Sequence, residues 1–131
     1  HPNEFPLYAL HTTNDNSVSN IKANGFDLSK FGSTGRRYRS DKRLTQYDPR
    51  AIFVTPLDSA DQWVPNAPHI KLRLSITKAL WTPDKQSLSR VFGNKTGTRL
   101  AQLLIKLGYQ IILTPSEAMI LDPSVISIIN N

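Results

Sequence analysis

Two short apolar runs lie close together near the end of the chain and limit its fold more than any other feature. They cover residues 110–113 and 118–121, and the turn-forming Thr-Pro-Ser of 114–116 separates them. A connection this short has no room for a helix, so the runs predict neighbouring antiparallel strands and argue against a doubly wound sheet. Glu117 stands at the entrance to the second strand, where its carboxylate can face a cleft.

The rest of the chain alternates strand and helix patterns. The clearest strand is 69–76, in which every second residue is apolar. Further strands are predicted at 7–11, 51–55 (ended by Pro56), 80–81 and 125–129. Helices are predicted from a cap among residues 14–17 to about Ala23, at 57–63 and at 96–107. The order indicates an α+β fold, with a mostly antiparallel sheet and flanking helices, and 131 residues suit a single domain.

The basic charge of the chain is concentrated in one predicted loop, residues 26–49. The chain carries a formal net charge of +6, and five of its basic residues fall close together: Arg36, Arg37, Arg39, Lys42 and Arg43. Tyr38 lies among them and Tyr47 follows. Such charge favours anionic partners, namely nucleic acid, phosphorylated cofactors or anionic membrane surfaces, while an ordinary solvated loop is the alternative interpretation.

Several classes of site are excluded by what the sequence lacks. It has no cysteine, which excludes disulfides, zinc–thiolate centres and thiol nucleophiles. It has no HExxH, GxSxG or phosphate-loop motif, so no metal site is predicted. No apolar run approaches 18 residues, which predicts no membrane span, and no signal peptide is recognisable. The start at His1 without Met indicates a processed product or an excised domain.

Three ordered motifs together resemble the ADP-ribosyltransferase superfamily. The motifs are Leu-Tyr at 7–8 with His-Thr-Thr at 11–13, then Ala-Ile-Phe-Val-Thr-Pro at 51–56 with Ser-Ala at 59–60, then Glu-Ala-Met-Ile-Leu-Asp at 117–122. They are most similar to the branch with a His–Tyr–Glu signature, which includes diphtheria-like toxins and poly(ADP-ribose) polymerases. The resemblance extends from His11 to Ile126 and implies a split sheet and one catalytic domain over residues 1–131.

The resemblance also implies where NAD would bind. His11 would bond the ribose on the adenine side, with Thr12 and Thr13 beside it, and the main chain at Thr12 would hold the nicotinamide carboxamide. Ser59 would hydrogen-bond the same amide. Among the basic residues, Arg36 or Arg37 could contact the pyrophosphate of NAD, with solvated loop charges as the alternative interpretation. A buried core histidine remains the alternative interpretation of His11.

The catalytic residues implied by the resemblance are Glu117, His11 and Phe53. Phe53 stands where the family has tyrosine and would stack on nicotinamide, with Trp63 as the opposite wall. Glu117 would stabilise the positively charged sugar as the glycosidic bond breaks, a type of contact worth about 10²–10³ in rate. Thr12 replaces the usual glycine, which shifts the expected approach of the main chain to nicotinamide.

The predicted function is therefore NAD-dependent mono-ADP-ribosyl transfer by a bacterial toxin domain, secreted or delivered into a target cell and acting in its cytoplasm. An immunity protein is a possible partner. The basic loop favours RNA slightly over protein as acceptor. Pro115 stands where arginine-modifying relatives carry a second glutamate, which disfavours arginine. Two alternatives stay open: an NAD glycohydrolase, and a non-enzymatic basic nucleic-acid-binding module.

Overall fold

A computed structural model describes residues 8–26, 47–58, 66, 68–115 and 117–129. Within these ranges the chain forms seven strands, three α-helices and one 3-10 helix. In chain order they are β1 (Tyr8–Thr12), α1 (Asp15–Asn24), β2 (Ile52–Leu57), β3 (His69–Leu74), β4 (Ala79–Trp81), α2 (Lys85–Val91), α3 (Gly97–Lys106), β5 (Ile111–Leu113), β6 (Ala118–Ile120), the 3-10 helix (Pro123–Val125) and β7 (Ile126–Ile128).

The seven strands form one curled sheet in the order β4-β5-β6-β2-β1-β3-β7. The predicted α+β class is confirmed. The sheet is mixed rather than antiparallel, because β4 pairs with β5 in parallel while the other pairs are antiparallel. The connection between β4 and β5 contains both α2 and α3, which gives it the length that a parallel crossover needs.

The two faces of the sheet carry separate apolar cores. Along β2, β5 and β6 the side chains alternate between them, as the pleat of a strand requires. One core includes Ile52, Val54 and the α1 residue Ile21. The other includes Met119 together with Leu88 of α2 and the α3 residues Leu100, Ala101 and Leu104. Helix α1 therefore covers one face, and α2 and α3 cover the other.

Strand β2 changes partner part-way along its length. Its first half, Ile52 to Val54, pairs with β6, whereas its second half, Thr55 to Leu57, pairs with β1. The β1–β2 register ends at Leu10↔Thr55, although β1 continues beside β3 as far as Thr12↔His69. The pairing between β1 and β2 is therefore interrupted at the level of Thr12 and Phe53.

The end predicted for β2 at Pro56 is wrong, because the strand continues to Leu57. Proline lacks an N–H and is tolerated where no ladder bond is needed. Main-chain groups alternate in direction along a strand, and those of Thr55 and Leu57 are directed at β1. The nitrogen of Pro56 is therefore directed at the opposite side, where the pairing with β6 has already ended at Val54. The helix predicted at 57–63 does not begin at Leu57, which ends β2, or at Asp58, and residues 59–63 lie outside the described residues.

The residues at the helix ends form local caps, and the cap of α1 lies within the predicted residues 14–17. Asn14 caps α1 by accepting the Ser17 N–H. Gly25 has the positive φ expected of a C-cap (+81°), but its ψ of −176° is extended and not left-handed helical. Asp122 caps the 3-10 helix by accepting the N–H and hydroxyl of Ser124. In the described ranges no helix is both long and apolar enough to cross a bilayer.

Candidate active site

A lysine links the predicted catalytic acid to a second, deeply buried carboxylate. Lys85 Nζ lies 2.7 Å from Asp48 Oδ1 and 2.9 Å from Glu117 Oε1. The side chains of Lys85, Asp48 and Glu117 are 10%, 1% and 15% exposed, respectively. These three side chains together carry a formal charge of −1, in a chain whose overall formal charge is positive. We call Asp48, Lys85 and Glu117 the charged triad.

Helix α2 delivers Lys85 to this position. Lys85 is the first residue of the helix, and Asp84 before it caps the helix by accepting the Ser87 N–H at 2.7 Å. The Thr82 hydroxyl also donates to the Asp84 carbonyl at 2.8 Å, and the Thr82 N–H bonds the end of β5. Sequence reasoning missed both α2 and Lys85, although Asp84 three residues before Ser87 was an available N-cap signal.

The environment of Lys85 favours its ammonium form. Burial alone lowers its pKa, but the hydrogen bonds to Asp48 and Glu117 and the charges of both carboxylates raise it by more, so the pKa of Lys85 lies above its ordinary value. The lysine is therefore a permanent cation at neutral pH. It holds two carboxylates that would otherwise repel each other.

A tight turn positions Glu117. The Thr114 N–H and hydroxyl both donate to the Glu117 carbonyl, at 3.0 and 3.1 Å, and the Glu117 N–H donates back to the Thr114 hydroxyl at 3.1 Å. These bonds close the hairpin between β5 and β6 that the sequence predicted. Side chains alternate along β6, so Glu117 points to the same face as Met119, the face covered by α2 and α3.

Phe53 lies on that face as well. Its side chain packs against the core formed by α2 and α3, and it is half-buried. Lys85 Nζ is 5.5 Å from the centre of its ring, within range of a cation–π contact. A positive charge therefore already lies between the aromatic ring and the Glu117 carboxylate.

His11 approaches Phe53 from the other side. Its Nδ1–H donates to the Phe53 carbonyl at 2.9 Å, since a carbonyl can only accept, and its ring meets Phe26 edge-on at 5.3 Å. His11 is buried and leaves β1 on the same face as Ala9, the face covered by α1. The bond occupies the Phe53 carbonyl where the β1–β2 ladder would have continued.

The main chain of Thr12 points toward this interruption. Thr13 N–H bonds the Pro68 carbonyl on the β3 side, at 3.1 Å. Neighbouring residues of a strand direct their main-chain groups to opposite sides. The N–H and C=O of the exposed Thr12 are therefore directed at β2, beyond the point where the register ends at Leu10↔Thr55.

Two of the residues singled out from the sequence, His11 and Glu117, thus lie around a third, Phe53 of β2. His11 bonds the Phe53 main chain, and Glu117 is joined through Lys85 to the Phe53 ring. Thr12 is adjacent, whereas the main chain of Thr13 belongs to the β1–β3 pairing. The other predicted residues, Ser59, Trp63, Arg36 and the remainder of the basic cluster, lie outside the described residues.

Comparisons with protein-family models, with curated proteins and with solved structures find no match to this chain. The geometry of the site and the sequence motifs therefore carry the functional argument.

We expect the α2 cap to contribute to the stability of the site. The Ser87 N–H first, and then the Ser87 hydroxyl, lower the pKa of Asp84 below its ordinary value. Its stabilising contribution is thus present above the ordinary pKa of about 3.9 and is lost as the pH falls through the lowered folded-state value. Asp84→Ala should lower the thermal unfolding midpoint at pH 7, and less so in acid.

The control for this variant is Asp15→Ala, since Asp15 lies in the first turn of α1 but does not cap it. Thermal melts followed by circular dichroism across this pH range measure both variants. An Asp84→Ala protein that melts with wild-type midpoints at every pH would show that the cap does not stabilise α2.

Proposed function

We propose that this chain is an NAD-dependent ADP-ribosyltransferase with Glu117, His11 and Phe53 at its centre. The observation that carries the proposal is their meeting around the interruption between β1 and β2. The Phe53 ring, the Glu117 carboxylate and the main chain of Thr12 lie around it. With Lys85 included, the triad still carries a net negative formal charge, which suits a cationic nicotinamide, and the main chain of Thr12 suits its carboxamide substituent.

Each group has a task in the proposed reaction. The N–H and C=O of Thr12 bind the carboxamide, which has one acceptor and two donor hydrogens to match them. Phe53 packs against the nicotinamide ring. The bond from Nδ1 to the Phe53 carbonyl fixes the orientation of the His11 ring, and to this residue we assign contact with the ribose on the adenine side.

The chemical step moves a positive charge from the nicotinamide ring to the sugar and then releases it as a proton. The bond between the ribose C1′ and the nicotinamide nitrogen breaks, and its electron pair leaves with neutral nicotinamide. The sugar becomes an oxocarbenium-like cation, which the net negative charge of the triad stabilises through Glu117. A nucleophilic atom of the acceptor then bonds C1′ and releases its proton to solvent.

The acceptor that we propose is a macromolecule, RNA before protein, in a toxin-like effector that acts inside a target cell. The basic segment with Arg36, Arg37 and Arg39 supports an RNA acceptor, because clustered cations bind phosphates and the adjacent Tyr38 can stack on a base. Pro115 two residues before Glu117 supports an acceptor other than arginine.

Incubation with NAD labelled on its adenylate phosphate tests these assignments. Total RNA, cell protein and buffer alone serve as three parallel acceptors. We expect nicotinamide release and label on RNA. Label on protein would keep the transferase and overturn the RNA preference, and free ADP-ribose in every arm would identify a glycohydrolase. If no nicotinamide is released, both enzymatic assignments fail and the nucleic-acid-binding module remains.

A further inference from the structure

Lys85 belongs to none of the sequence motifs, yet it contacts two motif residues, Glu117 and Phe53. Its ammonium has three hydrogen-bond donors. One is directed at Asp48 and one at Glu117, and the ammonium also lies over the Phe53 ring. Burial of a charged side chain is unfavourable unless strong contacts offset it, so its placement requires a physical reason.

Asp48 is an anchor and not a second reacting group. Its side chain is 1% exposed, so substrate cannot reach it without a large rearrangement. Its carbonyl accepts the Gly97 N–H at 2.8 Å, and Arg50 N–H donates to the Gly97 carbonyl at 3.0 Å. The Asp48 segment is thus fixed to the start of α3. Because Lys85 contacts both carboxylates, it holds Glu117 at a fixed place relative to the Asp48 segment.

The contact with Lys85 involves one of the two oxygens of Glu117, namely Oε1. A glutamate side chain has several rotatable bonds, and a carboxylate held at one oxygen loses most of that freedom before substrate arrives. The second oxygen, Oε2, can then bond a hydroxyl of the ribose whose C1′ reacts.

We infer that Lys85 is a positioning residue: anchored on Asp48, it orients the Glu117 carboxylate toward the nicotinamide ribose. This inference rests on the proposed function. It predicts that loss of the ammonium lowers kcat while KM for NAD changes little, because the misplaced carboxylate matters most in the transition state. Outer partners of metal ligands change activity by about 10–100-fold, and we expect a decrease in that range for Lys85.

The absence of cysteine from the chain allows a direct test. In Lys85→Cys the only thiol is at position 85, and alkylation with 2-bromoethylamine in denaturant, followed by refolding, converts it to thialysine. Thialysine keeps the length and charge of lysine, but its sulfur atom lowers the pKa of the ammonium. The measurements are kcat and KM for nicotinamide release from neutral pH to about pH 11, with folding checked by circular dichroism.

The groups that face the ammonium within the described residues include Asp48 and Glu117, both of which favour its charged form. We therefore expect the unmodified Lys85→Cys protein to lose about 10–100-fold in kcat and the thialysine form to recover most of it. The fall of kcat in alkali should also occur at lower pH for thialysine than for lysine. At each pH at which circular dichroism shows a folded protein, this displacement reports the effect of the charge at position 85 on the reaction and not alkaline unfolding.

A matched control is Lys78→Cys with the same alkylation. Lys78 also lies over an aromatic ring, Tyr109, at 4.5 Å, and it donates to the Leu107 carbonyl, but it is exposed and on another part of the sheet. Its variants should keep the wild-type pH profile. Identical alkaline profiles for lysine and thialysine at position 85, or full kcat in the folded, unmodified Lys85→Cys protein, would overturn the positioning role. Absence of turnover in the wild type would overturn the proposed function, and the positioning role with it.

Discussion

We expect Glu117→Gln to lower kcat for nicotinamide release by about 10²–10³-fold, equivalent to about 3–4 kcal/mol of transition-state stabilisation. The glutamine has the same shape, and its amide oxygen can still accept a hydrogen bond from Lys85. What changes is the charge of the triad, which falls from one net negative charge to zero. The loss therefore isolates electrostatic stabilisation of the sugar cation from the positioning of the side chain.

The fold should tolerate this substitution. The turn that holds position 117 is formed by main-chain bonds to Thr114, which glutamine retains. Lys85 also keeps its 2.7 Å contact with Asp48. Single-turnover release of nicotinamide measures the chemical step directly, and Asp15→Asn, which removes an exposed carboxylate on α1, is the control for charge alone. If Glu117→Gln releases nicotinamide at the wild-type rate, Glu117 is not the catalytic acid.

The parts of the molecule that are encoded locally could be predicted from the sequence. The alternation over 69–76 predicts β3, where Ile70, Leu72 and Leu74 are all buried. Leucines at helical spacing predict α3, and Leu100 and Leu104 are fully buried there. In these elements the apolar residues recur with the period of the strand or helix because one face is buried, so the sequence pattern predicts the structure directly.

The charged triad could not be predicted, because its members come from three segments far apart in the chain. Asp48 follows a stretch without any period, Lys85 begins a helix of only seven residues, and Glu117 closes a turn. No local pattern records that these three positions meet. The order of the strands in the sheet could not be predicted for the same reason. The parallel pairing of β4 with β5, for example, depends on how α2 and α3 pack on the sheet.

Lys85→Met should lower the free energy of unfolding by about 3–5 kcal/mol, the range seen when one member of a buried ion pair is removed. Methionine fills nearly the same volume, so a cavity contributes little. The loss comes from the ammonium that bonds the 1% exposed carboxylate of Asp48 at 2.7 Å. Urea titration at pH 7 gives the value. The control is Lys78→Met, an exposed lysine over Tyr109, for which we expect about 1 kcal/mol or less.

The pH dependence of this stability has a definite sign. Because the pKa of Lys85 is raised in the folded state, its contribution is fully present below the unfolded-state value of about 10.4 and is lost as the pH rises through the folded-state value. Wild-type protein should therefore lose stability above about pH 10.4, and Lys85→Met should lack that part of the loss. The two unfolding free energies should converge in alkali.

The double variant Lys85→Met/Asp48→Leu distinguishes the stability that the ion pair contributes from the cost of leaving the Asp48 carboxylate buried without Lys85. When both charged partners are replaced by apolar residues of suitable size, stability is often restored or increased. We expect the double variant to regain most of what Lys85→Met loses, so that the two substitutions are strongly non-additive. Additive losses would instead mean that Lys85 and Asp48 stabilise the fold independently. A stable double variant that remains inactive in nicotinamide release would then assign the triad to catalysis, since the fold could do without its charges.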